Sequence, residues 1–596
     1  MTALVIRRAL LDYARRPLNL VLLVAVPVVI VMALSGELAA FSKLLSTTSS
    51  PTHLEAATAG WAAAAVAGLA GFFEVIGSRT TDRRLAADSG RATPVVAGRL
   101  AASAVLAVAA TAAALVALVA RSGINDPLRA ISAVLVVAII YVAIGVLVGT
   151  LVRSEMNGAL VVSVIWMLDV FVGAGLGGGS SVITRVFPLH FPTMVLTSQA
   201  AHRGGPIGDV GWSLIWAIGL SALAVARLAV ITRPARHAAI APALGEAATP
   251  PRQTVSPLSL PAAAVTPAPS LTVTVTTSDA PFAANRAHAR SETRLAAALR
   301  AAMRDYGRNR VLWVLLLVVP VLFVALAAEQ TPTKLMPVAL VAGARHFTAM
   351  ISLRHVHAAE MASVASALLA GIAGLFVVTG SAEGDRRLVL AGFRPRQVLA
   401  GHLGVIAGAA ALTTVVSLAV SAAFFSPHQW VPYAGADLLI ALTYAMIGVL
   451  LGPLTGRLGG LYLILVLAIV DVGYGQTVMF KPFPPSWGAF LPARGAGRLL
   501  LGGAFSTGSA QIGYLLLALG WLAALTAAAA FVFRARIGAR PIPATPQTHT
   551  IVTGPHDAPD SWSRSCHDED GAEADPAAGV LTTLGTRTPT PTDLRQ

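Results

Sequence analysis

Of 596 residues, 56% are hydrophobic and only 12% charged. That is about half the charged share of a soluble domain, so the chain is composed for a nonpolar solvent. A net charge of +15 would suggest nucleic acid on a soluble protein. Here the arginines gather at the ends of apolar runs, which points instead to membrane topology and anionic headgroups and away from nucleic acid. The single cysteine, Cys566, lies in a polar tail and excludes a disulfide framework or a cysteine-based metal site.

A helix crossing a hydrocarbon core of about 30 Å needs about 20 apolar residues. Helices are required because backbone groups in lipid must pair within their own segment. The chain offers six such runs in its first half, at 18–36, 56–77, 98–120, 131–152, 157–175 and 209–231. Six more follow at 311–328, 361–380, 399–424, 434–454, 459–475 and 511–533. The expected fold is an all-α polytopic membrane protein with twelve spans. The first run is too long for a cleavable signal peptide and lacks a small-residue cleavage site.

Ahead of the first span, Leu4, Ala9 and Leu11 alternate with Arg7, Arg8, Asp12, Arg15 and Arg16. That spacing predicts a basic amphipathic helix lying in the headgroup plane with its arginines reaching outward. Asp12, Tyr13 and Arg15 return before the seventh span as Asp305, Tyr306 and Arg308.

Between spans two and three, Gly77 is expected to cap the helix. Asp82, favoured at a helix start, then opens a short cytoplasmic helix with Arg83, Arg84 and Leu85. Gly380, Asp385, Arg386, Arg387 and Leu388 repeat the order. The leucines beside fixed charges offer a knob for docking another protein. The competing reading is that the arginines only hold the loop inside, although topology needs charge and not an identical sequence order.

Each fifth span carries an acid, Asp169 and Asp471. A carboxylate in the membrane costs about 2.5–3.5 kcal/mol on insertion scales and so faces a bundle interior or cavity. A pathway lining and a hydrogen bond that fixes helix packing both fit. Glu74 has no acidic counterpart, since position 377 is valine.

After span five come long outer loops, one with Gly173, Gly175, Gly177, Gly178 and Gly179, the other with Pro482, Pro484, Pro485 and Pro492. They suit re-entrant segments covered by protein. Gly173-x-Gly175-x-x-Gly178 follows an apolar helix and no strand–helix unit, so it is not a dinucleotide fingerprint. His346, His355, His357 and Glu360 lack ligand-quality spacing, and the first half offers only His53 and Glu55. They are expected to be solvated, with no metal. No G-x-x-x-x-G-K-[ST], HExxH or catalytic nucleophile elbow occurs, so no catalytic residue is assigned and ATP hydrolysis would need another subunit.

The halves repeat each other. Asp12 through Pro27 matches Asp305 through Pro320 at an offset of 293, and beyond one insertion the offset is 303. Between Gly71–Leu100 and Gly374–Leu403, 14 of 30 positions are identical, and Tyr141, Gly145, Gly149 and Leu151 recur as Tyr444, Gly448, Gly452 and Leu454. Such a repeat decides architecture. The arginine-rich loops place both halves with the same orientation, parallel repeats about an axis along the membrane normal, with both termini cytoplasmic. The predicted domains are 1–236 and 290–538. A Pro/Thr/Ala-rich linker, 237–289, and a tail, 539–596, lack the apolar periodicity to build a core.

The Pro-bearing first spans behind basic elbows (Arg7–Pro27, Arg300–Pro320), the Gly-Ser-x-x-x-Asp-Arg-Arg-Leu loops and the Pro-bearing loops before each sixth span resemble ABC-2-type ATP-binding-cassette exporter permeases, in the tandem-fused form found in actinobacteria. The resemblance covers about 1–236 and 290–540. It implies six spans per unit and two units per transporter. It further implies that Asp82–Leu85 and Asp385–Leu388 contact two copies of a separate ATPase, which carries the ATP and magnesium. A fused chain would need no homodimer, would sit in the plasma membrane, and would move hydrophobic or amphiphilic cargo. Two other readings remain open on the sequence: a proton-coupled transporter of the major-facilitator type, which shares the parallel halves, and a non-transporting membrane assembly factor.

Overall fold

The computed structural model describes residues 2–15, 17–44, 51–89, 91–124, 126–170, 184–197 and 205–232, single positions between 296 and 307, then 310–342, 345–390, 392–479, 484–508 and 512–537. The linker, the tail, the glycine-rich loop at 173–179 and Asp305, Tyr306 and Arg308 lie outside the described residues.

The first half comprises α1 (Thr2–Ala14), α2 (Pro17–Leu44), α3 (Pro51–Ser89), α4 (Thr93–Ser122), α5 (Pro127–Leu151), α6 (Glu155–Leu168), the short α7 (His190–Thr197) and α8 (Gly205–Thr232). The second comprises α9 (Arg310–Gln330), strands β1 (Leu335–Ala342) and β2 (Arg345–Ser352), α10 (Leu353–Leu390), α11 (Pro395–Ser421), α12 (Trp430–Leu467), α13 (Arg494–Phe505) and α14 (Ile512–Ile537). Among the described residues, nine helices are long and apolar enough to cross a membrane. The chain is a mostly helical, multi-pass membrane protein.

Local chemistry sets the helix starts. Pro127 occupies the first turn of α5 while Asp126 accepts the Arg129 backbone N–H at 3.2 Å, satisfying a donor that the helix leaves over. At α11, Gln397 reaches back to accept the Arg394 N–H at 3.1 Å. The first apolar run bends by 84° from α1 to α2, as an elbow should. Val5, Ala9 and Tyr13 are buried at helical spacing, and Val5 packs over Gly98 of α4.

Burial sorts the helices. The most apolar windows of α3 and α10 are 83% and 94% buried, against 17% and 11% for α8 and α14. The first pair therefore forms the bundle centres and the second faces lipid. Close approach at the centres depends on glycine: a methyl on Gly145 would overlap the Gly68 carbonyl, and one on Gly448 would overlap the Gly371 carbonyl, the same contact 303 residues on. Small residues let helices meet at backbone distance where lipid supplies no hydrophobic driving force. The halves meet reciprocally, α2 against α12 and α9 against α6. Tyr462 donates to the Val66 carbonyl across this boundary at 3.1 Å.

Two expectations need correction, and two spans can be placed more finely. Gly77 and Gly380 do not end helices; α3 and α10 run on through them. Nothing crowds either glycine, and one mid-helix glycine costs only about 1 kcal/mol, so the helix continues and no separate short helix begins at Asp82 or Asp385. Spans 434–454 and 459–475 are two helices separated by a kink at Gly456, where φ is 73° three residues after Pro453; proline removes a helix donor and glycine takes the left-handed turn. The span expected at 157–175 is α-helical over Glu155–Leu168 and widens to π-helical geometry at 169–170, and residues 171–175 lie outside the described residues. The helical expectation also meets one exception, an antiparallel hairpin with Leu335 opposite Ser352 and Ala342 opposite Arg345. Val338 and Leu340 bury against Val478, Met479 and Leu501, an alternating pattern proper to a strand. The hairpin falls in the interval where the repeat offset lengthens from 293 to 303.

Candidate functional site

The residues singled out near the ends of α3 and α10 divide by burial. Asp82 and Asp385 are each 2% exposed, whereas Arg83, Arg84, Arg386 and Arg387 are exposed. A buried carboxylate needs bonded partners, and both acids find them on the next helix. Arg99 Nε donates to Asp82 Oδ1 and Oδ2 at 3.0 and 3.1 Å, and its Nη2 to Oδ1 at 2.9 Å. Ser78, one turn earlier on α3, donates to Asp82 Oδ2 at 2.9 Å. Arg99 also donates through Nη1 to Glu74, so one guanidinium joins two acids. At the positions 303 residues on, His402 Nε2 lies 2.9 Å from Asp385 Oδ1 and Ser381 donates to Oδ2 at 3.0 Å. Val377 stands where Glu74 stands.

These bonds clamp the ends of α3 and α10 to the helices that follow. The neighbouring residues on these helix ends take different positions. Arg83 donates to the Ile231 carbonyl at 3.0 Å, a favourable place for a cation at the end of α8. Leu85 is half-buried. Leu388 leans into the cluster formed by Val398, Leu399 and Phe533, so it is not a free knob. The arginine pairs are what the two helix ends leave outward.

Between the halves, at this same arginine-rich end, lies a cavity of about 900 Å³. Glu74, Ser78 and Arg99 open onto it from one half, Asp385 and Arg386 from the other, and Arg8 and Asp12 from the elbow. Asp12 pairs with Arg15 at 3.1 Å; the pair is exposed, so its contribution is small. Tyr13 is buried in the core. Arg457, beside the Gly456 break, bonds Glu155 of the other half and the Thr379 carbonyl. Position 154, its first-half counterpart, is serine.

Asp169 and Asp471 lie where their helices widen into π geometry, a feature frequent at irregular, constrained positions. Tyr141 donates to Asp169 at 2.7 Å, and the Leu189 N–H, at the start of α7, donates at 2.9 Å. Tyr444 donates to Asp471 at 3.0 Å, joined by the Ala493 N–H at 3.0 Å, at the start of α13, and by Gln476 at 3.1 Å. Each acid therefore ties a span to the short helix behind it, and every bond is internal to one half. This is the geometry of a packing anchor.

His357 and Glu360 are not solvated as expected, and the side chain of His346 lies outside the described residues. His357 and Glu360 are each 5% exposed. His357 lies 2.7 Å from the Thr331 hydroxyl, and Glu360 accepts from Thr477 and from the Val478 N–H. His355 stacks on Phe425. The long α10 carries them into the bundle to hold the 476–479 loop under the hairpin. Among the described residues no group of three or more His, Cys, Asp or Glu could hold a metal.

Sequence reading missed Arg99, His402 and the Glu74 contact, which it had counted as topology charge or left unassigned. The available signal was position: 99 and 402 lie 17 residues beyond the two aspartates and are themselves 303 apart. It also missed Asp437, wholly buried on α12. No protein-family model matches the chain, and no curated protein does.

Proposed function

We propose that the chain is the membrane subunit of an ATP-binding-cassette exporter of the ABC-2 type, in the plasma membrane, powered by a separate ATPase. In this reading twelve spans form two parallel six-span repeats with both termini cytoplasmic. Two copies of the ATPase dock at Arg83–Arg84 and Arg386–Arg387, and hydrophobic or amphiphilic cargo enters the cavity between the halves. One observation carries the reading: at equivalent positions of both halves, a buried Ser–Asp anchor holds a helix end that presents an arginine pair beside that cavity. A rigid, clamped helix end transmits a push from outside into the bundle, whereas a flexible loop would absorb it. The chain has no nucleotide-binding motif of its own, so the energy source must bind from outside.

Purification of the chain from its native membranes, with ATP hydrolysis as readout, tests this. An ATPase activity should co-purify, and Arg83→Ala, Arg84→Ala, Arg386→Ala and Arg387→Ala together should release it while Asp82 and Asp385 keep the fold. A chain that carries no ATPase, or that retains it fully in the quadruple variant, contradicts the proposal.

A further inference from the structure

The acids on the wall of the cavity between the halves are all engaged. Glu74 is held by Arg99, Glu155 by Arg457, Asp385 by His402 and Ser381, and Asp12 by Arg15 at 3.1 Å. Arg386 and Arg536 line the same space, are exposed, and pair with no carboxylate among the described residues. The charge left over in the cavity is therefore positive.

Asn19, near the start of α2, lines it too. It is 4% exposed, and its side-chain carbonyl oxygen, Oδ1, has no hydrogen-bond partner. A buried polar oxygen without a donor is destabilising. Packing does not call for it, since the repeat has Leu312 at the position 293 residues on. An acceptor kept on the wall is met by a donor from whatever fills the cavity. Much of the remaining wall is apolar, with Leu18, Phe73, Leu454 and Phe533. Phe533 and Arg536 belong to α14, which faces lipid, so the cavity borders the bilayer. Its volume of about 900 Å³ lies within the range of small-molecule sites, roughly 300–1,000 Å³.

We infer that this cavity receives an amphiphile whose headgroup is anionic and carries a hydroxyl or N–H donor. Arg386 and Arg536 meet the charge, because a guanidinium binds phosphate or carboxylate oxygens in paired hydrogen bonds. Asn19 accepts from the donor, and the apolar chain lies against Leu18, Phe73, Leu454 and Phe533. This names the cargo class of the proposed exporter and rests on that reading, although binding itself needs no ATPase. Arg386 also belongs to the proposed docking pair, so the test relies on Asn19 and Arg536.

Thermal unfolding of the purified full-length chain in detergent reads the binding. The probe is dioctanoyl-phosphatidylglycerol, which has a charged phosphate and free hydroxyls. Dioctanoyl-phosphatidylcholine keeps the chains without net charge or donor, and glycerol 3-phosphate keeps the headgroup without the chains. Phosphatidylglycerol should raise the melting temperature by several degrees, saturably, because a ligand bound only by the folded state stabilises it. The other two should not. Asn19→Leu, which writes in the residue of the second copy, and Arg536→Gln should each lose most of the shift. Arg534→Gln should keep it, because Arg534 is exposed on the same helix end but does not line the cavity. An equal shift with phosphatidylcholine overturns the charge assignment, and a shift with glycerol 3-phosphate alone overturns the amphiphile. A shift that survives both Asn19→Leu and Arg536→Gln is lipid bound around the bundle and overturns the site. If Asn19→Leu does not fold, Arg536→Gln decides: a lost shift supports the site and a retained one overturns it. A chain indifferent to phosphatidylglycerol loses the cargo class and leaves ATPase docking untouched. Absence of a co-purifying ATPase overturns the exporter and leaves a measured shift standing.

Discussion

The two helix ends solve one problem with different chemistry. Around Asp82, a guanidinium binds both the aspartate and Glu74; around Asp385, an imidazole meets one acid, with Ser381 beside it, and valine replaces the second acid. What the scaffold requires is a buried acid tied to a donor on the following helix. The identity of that donor is open. The first end depends on charge compensation and the second does not depend on it to the same degree, so equivalent substitutions should have unequal effects.

The largest inequality is expected at the donors themselves. Arg99→Met leaves the buried Asp82 and the half-buried Glu74 without a cation and should destabilise by about 3–5 kcal/mol. His402→Ala leaves one carboxylate with Ser381 still donating and should lose about 1–3 kcal/mol. Denaturation of the purified chain reads both, and equal losses would erase the comparison. The pair Arg99→His with Glu74→Val recreates the second-half arrangement. The double variant should lose less stability than the sum of the two single losses, a coupling of about 0.5–3 kcal/mol.

The acid anchors sharpen the point. Tyr141→Phe leaves Asp169 with the Leu189 N–H, whereas Tyr444→Phe leaves Asp471 with Ala493 and Gln476. Loss of a hydrogen bond to a charged group is worth about 1.5–3 kcal/mol; Tyr141→Phe should lie toward the top of that range and Tyr444→Phe toward the bottom, read by the same denaturation. At the glycine crossings the halves should agree. Gly145→Ala and Gly448→Ala both force a methyl into a facing carbonyl and should each destabilise by about 1–3 kcal/mol. A large difference between them would mean the bundle centres are not built alike. The smallest effect on stability is expected from Arg84→Ala and Arg387→Ala, within about 0.5 kcal/mol because both side chains are exposed.

The apolar runs made most of the helices legible, since lipid leaves the backbone little choice. The repeat made Tyr141 and Tyr444 visible but not their partners, because Asp169 and Asp471 lie 28 and 27 residues away and nothing local joins them. Gly77 and Gly380 misled because glycine marks a helix end only when its backbone must turn, and here it does not. Arg99 is one of many arginines at the ends of apolar runs and Asp82 reads as a loop residue; only packing shows that they meet. Asp437 was hidden by the repeat itself: its counterpart is Val134, so a search for recurring acids passes over it.

The central claim is that both arginine-bearing helix ends face the same compartment, where one kind of partner can engage them. Cys566 is the only cysteine, so Cys566→Ser gives a cysteine-free background for labelling. Asp82 and Asp385 are buried and would resist any reagent, whereas positions 84 and 387 are exposed. Single cysteines at 84 and 387 should both react with a membrane-impermeant maleimide only when the cytoplasmic face is opened to it. Labelling of one from outside and the other from inside would contradict the account.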